Sequence, residues 1–170
     1  CRNAFYLKKR PTFTFDPLFH AGCYYVQEAA SMFLDEVLLQ CLTSNVQCSS
    51  FNVQRSTSLD LCAAPGGKST LLRSALPDDC VLYSNEPMRN RASILLENVT
   101  KWGYANHYVT NVYPNVFRRS KCRFDLILCD VPCSGEGMFR KDEATIREWS
   151  PQQVEKCCGL QRDIVSDAWA

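Results

Sequence analysis

Leu59-Asp60-Leu61-Cys62-Ala63-Ala64-Pro65-Gly66-Gly67-Lys68-Ser69-Thr70 decides the fold of this chain. An apolar, β-type run meets a loop of small residues, and Lys-Ser-Thr opens the next helical stretch. A strand that stops at such a loop lets a ligand approach the backbone closely, with helix N–H groups aimed at it. Two ligand classes suit it: a nucleotide phosphate, or the amino-acid and sugar parts of S-adenosylmethionine. The bland alternative is a tight strand-to-helix turn with no ligand.

The phosphate alternative is the weaker of the two. Gly67-Lys68-Ser69 fit the end of G-x-x-x-x-G-K-[ST], but Cys62 stands where the first glycine belongs. That glycine opens the backbone nest around a phosphate, and Pro65 removes a further donor.

On either side of the loop, strand and helix patterns alternate. Ser58–Cys62 reads as a strand, Lys68–Ala75 as a helix and Val81–Asn85 as the next strand. Pro87, at a first turn where no N–H is needed, predicts a helix to about Lys101. Its apolar face is Ala92, Leu95, Leu96, Val99 and Trp102, and Gly103 ends it. His107–Asn111 is a weaker strand; the apolar run Phe124–Cys129 predicts one buried on both faces. Ser150-Pro151-Gln152-Gln153 is a capping box that starts a last helix. That helix is expected to bury Val154, Cys157, Cys158, Ile164, Val165 and Ala168.

This alternation predicts a Rossmann-like α/β domain, a parallel sheet with flanking helices joined by right-handed crossovers. Ligands in such sheets lie beyond the carboxyl ends of the strands, near the reversal of strand order. The Pro65-Gly66-Gly67 loop, Glu86 and Asp130 each follow a strand at that end. A carboxylate just past the second strand, as Glu86 is, suits the two hydroxyls of a ribose; alone it reads as a helix N-terminal acid. Cys133, in the open loop after Asp130, can reach a substrate where Cys129 in the strand cannot, although most lone cysteines are inert.

Upstream, residues to about Cys23 are aromatic-rich, with Lys8-Lys9-Arg10, and an amphipathic helix is predicted near Glu28–Leu42. The polar stretch Thr43–Ser56 reads as a linker. The organisation expected is an N-terminal extension, 1–56, and a partial α/β domain, 57–170. Only four strands are readable and none follows the last helix, so half a sheet and a longer natural protein are expected.

Composition sets the remaining bounds. The 170 residues are 46% hydrophobic and 22% charged, with a net charge of +1, so nucleic-acid binding must rest on local patches. No apolar run approaches the ~20 residues that cross a membrane. The 11 cysteines are scattered without C-x2-C spacing and only 2 histidines accompany them, which argues against a disulfide framework or a zinc site. Reduced cysteines at Cys41, Cys62, Cys80 and Cys129 are expected to act as small hydrophobes. A reducing compartment, the cytoplasm, is expected.

Together, Cys62–Lys68, Glu86, Asp130-Val131-Pro132-Cys133-Ser134-Gly135 and Gly137-Met138-Phe139-Arg140-Lys141-Asp142 resemble the Nol/Nop/Sun family of RNA cytosine-5 methyltransferases, above all bacterial members that modify ribosomal RNA. The resemblance extends back to Phe19–Glu28 and forward through Trp149-Ser150-Pro151 and Leu160-Gln161-Arg162. It implies that Cys62, Ala63, Ala64, Pro65, Gly66, Gly67 and Lys68, with Glu86 and Asp130, hold S-adenosylmethionine. It also implies catalytic parts for Lys68, Asp130 and Cys133. A thiolate added to carbon 6 makes the cytosine ring enamine-like, so carbon 5 accepts the methyl group, while an acid stabilises charge at N3 and N4.

Family members use two cysteines: one in a later Thr-Cys segment attacks the base, and the Pro-Cys one, here Cys133, assists product release. No Thr-Cys pair occurs in this chain, so the chain alone is expected not to turn over. A rival reading makes Cys133 the attacker, as in DNA cytosine-5 methyltransferases. Tyr113 stands where the family offers an aspartate to adenine, and Val131 replaces a common alanine. Arg140 and Lys141 are the leading RNA-phosphate candidates, ahead of Arg118, Arg119, Lys121 and Arg123. The partner expected is RNA, ribosomal by resemblance, with a monomeric protein, no metal and no membrane. Other readings are a non-catalytic S-adenosylmethionine- or RNA-binding remnant, and an NTPase.

Overall fold

A computed structural model describes residues 4–43, 56–120 and 122–170. The predicted linker lies almost wholly outside the described residues, as does Lys121. Four strands, β1 (Thr57–Asp60), β2 (Val81–Asn85), β3 (His107–Thr110) and β4 (Leu126–Leu128), form one sheet in the order β3-β2-β1-β4. Every pairing is parallel, with Leu59 opposite both Tyr83 and Ile127. The chain moves outward from β1 through β2 to β3, then returns to the other side of β1. The reversal of strand order therefore falls between β1 and β4, the place where such sheets bind ligands.

Alternation along the strands sends side chains to two helical layers. On one face Leu82, Leu126 and Leu128 meet Leu72 of α3 (Gly67–Ala75), its C-cap Leu76, and Leu38 of α2 (Phe33–Thr43). On the other, Leu59, Tyr83 and Ile127 meet Phe117 of α5 (Pro114–Arg119) and Ile164 of α7 (Pro151–Trp169). α4 (Arg89–Trp102) covers the first loop through Leu95 and Val99, which pack on Ala63 and Ala64. Short helices α1 (Pro17–His20) and α6 (Glu143–Glu148) complete the element order.

Several boundaries differ from those expected. α4 begins at Arg89, not Pro87, because the Glu86 carboxylate accepts the Met88 amide at 3.0 Å and holds an extra turn open. A 3-10 turn, Ala29–Met32, replaces the start of the predicted N-terminal helix. β4 is half-buried, not covered on both faces, because it lies at the sheet edge. Leu96, Val154 and Val165 are exposed, and so is Cys41, while Cys80 is fully buried. The nine described cysteines are all free. Ser150 does cap α7, accepting the Gln153 amide at 3.2 Å. No helix among the described residues is long and apolar enough to cross a membrane.

The extension docks on α4. Gly22 has φ +73°, and a Cβ there would lie 1.9 Å from the Lys101 carbonyl oxygen. Gly22→Ala should therefore cost roughly 1–3 kcal/mol from left-handed backbone alone, before the clash is relieved. Hydrogen exchange of the Phe19–Tyr24 amides should accelerate; unchanged protection would contradict the docking.

Candidate functional site

The loop after β1 is fixed from α4 and from the extension. Gly66 adopts φ +115° at the N-cap of α3, where only glycine is unstrained. A Cβ on Gly66 would meet Leu95 Cδ1 at 3.2 Å, and one on Gly67 would meet Tyr25 Cε1 at 3.0 Å. Close protein packing is thus one reason for both glycines. Arg91 donates to the Ala64 carbonyl and Asn98 to the Pro65 carbonyl, each at 2.8 Å. Arg91, Leu95 and Asn98 follow at i, i+4 and i+7, so one face of α4 carries all three contacts.

Glu86 follows β2 and is 1% exposed. Besides the Met88 amide, its carboxylate faces Arg91 at 3.4 Å, so Arg91 touches both the first loop and the second carboxylate. Asn85, fully buried, ties these strand ends together. Its Nδ2 donates to the Leu61 and Val112 carbonyls, and its Oδ1 accepts Thr110 Oγ1 and the Val112 amide.

Asp130, after β4, forms an ion pair with Lys68 at the start of α3. This pair spans the β1–β4 crevice. Gln161 of α7 donates to the Pro132 carbonyl at 2.7 Å and so fastens the loop that carries exposed Cys133. Glu136 accepts from Ser134 Oγ and Trp149 Nε1 and stiffens the same loop. Beside Val131 lies an open depression of ≈ 660 Å³, walled by Val165 and Trp169. The loop of Cys62 to Lys68, Glu86 and Asp130 thus sit at adjoining strand ends. Arg140 and Lys141 lie farther along the Cys133 arm, and both pair with Glu28 of the extension. Tyr113 is 65% exposed at the N-cap of α5, while Asn111 donates to the Glu86 and Pro87 carbonyls.

Burial pushes the Cys62 thiol up to about 12, helped by Cys129, Asp60, Glu86 and Asp130 around it. Cys62 is therefore a neutral packing residue at physiological pH, and burial likewise raises Cys129. Asp60 accepts Ser69 Oγ at 2.6 Å through Oδ2, while buried Oδ1 lacks a full hydrogen bond. Burial raises Asp60 to about 7, against the opposing Ser69 bond. His107, bonded to Ser84 Oγ, is lowered by burial, and then by Arg73, to about 4.

These shifts act in opposite senses on stability. Folded Asp60 holds a proton that the unfolded chain releases near 3.8, so its contribution is full below 3.8 and falls as pH rises to about 7. Folded His107 refuses a proton that the unfolded chain takes below about 6.5, so its contribution falls as pH drops from there to about 4. Asp60→Asn should remove the first slope and leave stability rising with pH through that window. Denaturant titrations giving parallel pH profiles for both proteins would contradict the assignment.

The residues to which the sequence assigns no role are Arg91, Asn98, Asn85, Tyr25, Glu28 and Gln161. The signals present are the helical spacing of Arg91, Leu95 and Asn98 and the place of Tyr25, Glu28 and Gln161 in stretches that resemble the family. Among the described residues no group of His, Cys, Asp or Glu is gathered as for a metal ion.

Comparison with known proteins now bears on this geometry. A ribosomal RNA small subunit methyltransferase F of Pectobacterium carotovorum subsp. carotovorum (strain PC1) is 34% identical over 150 residues, 88% of this chain and 29% of its own length. Its counterpart in Aliivibrio salmonicida (strain LFI1238) is 36% identical over 150 residues, again 88% of this chain and 30% of the relative. The chain thus spans under a third of the length of these relatives. The crystal structure of NSun6 from Pyrococcus horikoshii with SFG superposes with a TM-score of 0.74 at 22% identity, covering 94% of this chain and 38% of that one. That likeness bears on the fold, a Rossmann-like methyltransferase sheet of which four strands are present here. The profile of the 16S rRNA methyltransferase RsmB/F family matches residues 51–170. By that match over most of its length, the chain belongs to the 16S rRNA methyltransferase RsmB/F family.

Proposed function

We infer that the crevice at the ends of β1, β2 and β4 binds S-adenosylmethionine for methyl transfer to carbon 5 of cytosine in RNA, ribosomal RNA in the whole protein. The observation that carries this reading is the balance of charge. Both cations of the crevice are already paired, Lys68 with Asp130 and Arg91 with Glu86. This donor set suits a cationic ligand rich in hydroxyls and opposes a polyphosphate, whose charge would meet the carboxylates of Glu86 and Asp130.

S-adenosylmethionine, when bound, supplies a methyl group made electrophilic by its sulfonium. Residues Cys62 to Lys68 would hold its methionine portion, and Glu86 its ribose once exposed Arg91 turns aside. Asp130, paired with Lys68, stabilises charge at N3 and N4 of the base. Cys133 is exposed where Cys62 and Cys129 are partly buried, and its part is to assist release, not to attack. With no Thr-Cys pair in these 170 residues, the chain binds both partners without completing the transfer.

Calorimetry tests the cofactor: heat of binding is expected with S-adenosylmethionine and none with ATP, and the reverse would sink the reading. RNA bearing 5-fluorocytosine tests Cys133. No covalent adduct is expected, whereas a Cys133 adduct would make it the attacking residue.

A further inference from the structure

Glu28 sits at the N-cap of the 3-10 turn Ala29–Met32, yet its side chain caps nothing there. It reaches across to the arm beyond Cys133 instead. One carboxylate oxygen accepts from Arg140 and the other from Lys141, the latter at 2.8 Å. Two cations from adjacent residues thus converge on the two oxygens of one anion, in the geometry with which basic side chains take the unbridged oxygens of a phosphodiester. The neighbouring acids are engaged elsewhere: Asp142 caps α6 through the Ala144 amide, and Glu136 holds Ser134 and Trp149. One carboxylate is thus shared between two cations. Arg140 and Lys141 keep 69% and 45% of their side chains exposed, so an incoming anion can reach them.

We propose that Glu28 is a stand-in for a phosphate. Its carboxylate fills, in the RNA-free protein, the site where Arg140 and Lys141 take a backbone phosphate of the RNA. This rests on the RNA reading above. Binding is then an exchange of one anion for another, and Glu28 sets the threshold an RNA must exceed.

The test is the affinity of the intact chain for a short, cytidine-containing single-stranded RNA in low-salt buffer. Glu28→Gln keeps the side chain's length and removes its charge, and should tighten binding roughly three- to tenfold. Glu28→Asp, which keeps the charge, should stay within about twofold of the parent. The gain from Glu28→Gln should vanish when Arg140→Ala and Lys141→Ala are added. Glu97→Gln, which frees Lys101 on α4, should give no comparable gain. Unchanged or weaker binding by Glu28→Gln, or an equal gain from Glu97→Gln, overturns the exchange while leaving RNA binding intact. Failure of every variant and the parent to bind RNA overturns both readings together.

Discussion

Arg73→Met should lower the free energy of unfolding by about 3 kcal/mol, the sum of stranding several buried carbonyls. Arg73 is a wholly buried side chain of α3 that donates to the carbonyls of Cys80, Leu76 and Pro77. Those oxygens belong to the backbone turn between α3 and β2, and each loses a donor if the guanidinium goes, although the Pro77 oxygen keeps the Cys80 amide at 3.1 Å. Methionine fills most of the volume, so packing alone should change little. The Tyr104 ring, 5.3 Å from the guanidinium carbon, loses a cation as well. Urea unfolding reads the effect directly. A loss below about 1 kcal/mol would mean that water enters the turn and satisfies the carbonyls.

Glu86→Gln should weaken S-adenosylmethionine binding by roughly ten- to a hundredfold, the value of replacing one or two charge-assisted hydrogen bonds by neutral ones. Glutamine still offers an oxygen to the Met88 amide, so the turn before α4 should survive. What it lacks is the charge that draws Arg91 in one state and the ribose hydroxyls in the other. The variant should therefore unfold near the parent's midpoint while its calorimetric affinity falls. A dissociation constant within about threefold of the parent would remove Glu86 from the binding site.

How far the sequence could be read depended on whether a feature is local. Val81–Asn85 is a strand with the ends its composition predicts, and Gly103 closes α4 at φ +77°. The carboxylates Glu86 and Asp130 were legible because each directly follows an apolar run. The start of α4 was misplaced because Pro87 suits a first turn, whereas a tertiary preference, Glu86 folding back on Met88, won. β4 looked wholly buried because hydropathy shows what a strand can bury and not its place in the sheet. Arg140 and Lys141 read as candidates for RNA phosphates, and nothing local shows that Glu28, more than 100 residues earlier, reaches them. Gln161 and Asn98, polar residues on helices, gave no hint that they hold backbone oxygens of the two site loops.

α4 touches the molecule at both its ends. From its first turn to its third, Arg91, Leu95 and Asn98 grip the first loop, and in its last turn Lys101 receives the turn at Gly22. A helix transmits a small shift along its axis almost undiminished, so seating that turn and shaping the loop become one event. By reciprocity, any donor molecule that tightens the loop must steady the extension by the same increment of free energy. An antibody or crosslink that pins Phe19–Tyr24 would, on this logic, sharpen affinity at a crevice it never touches.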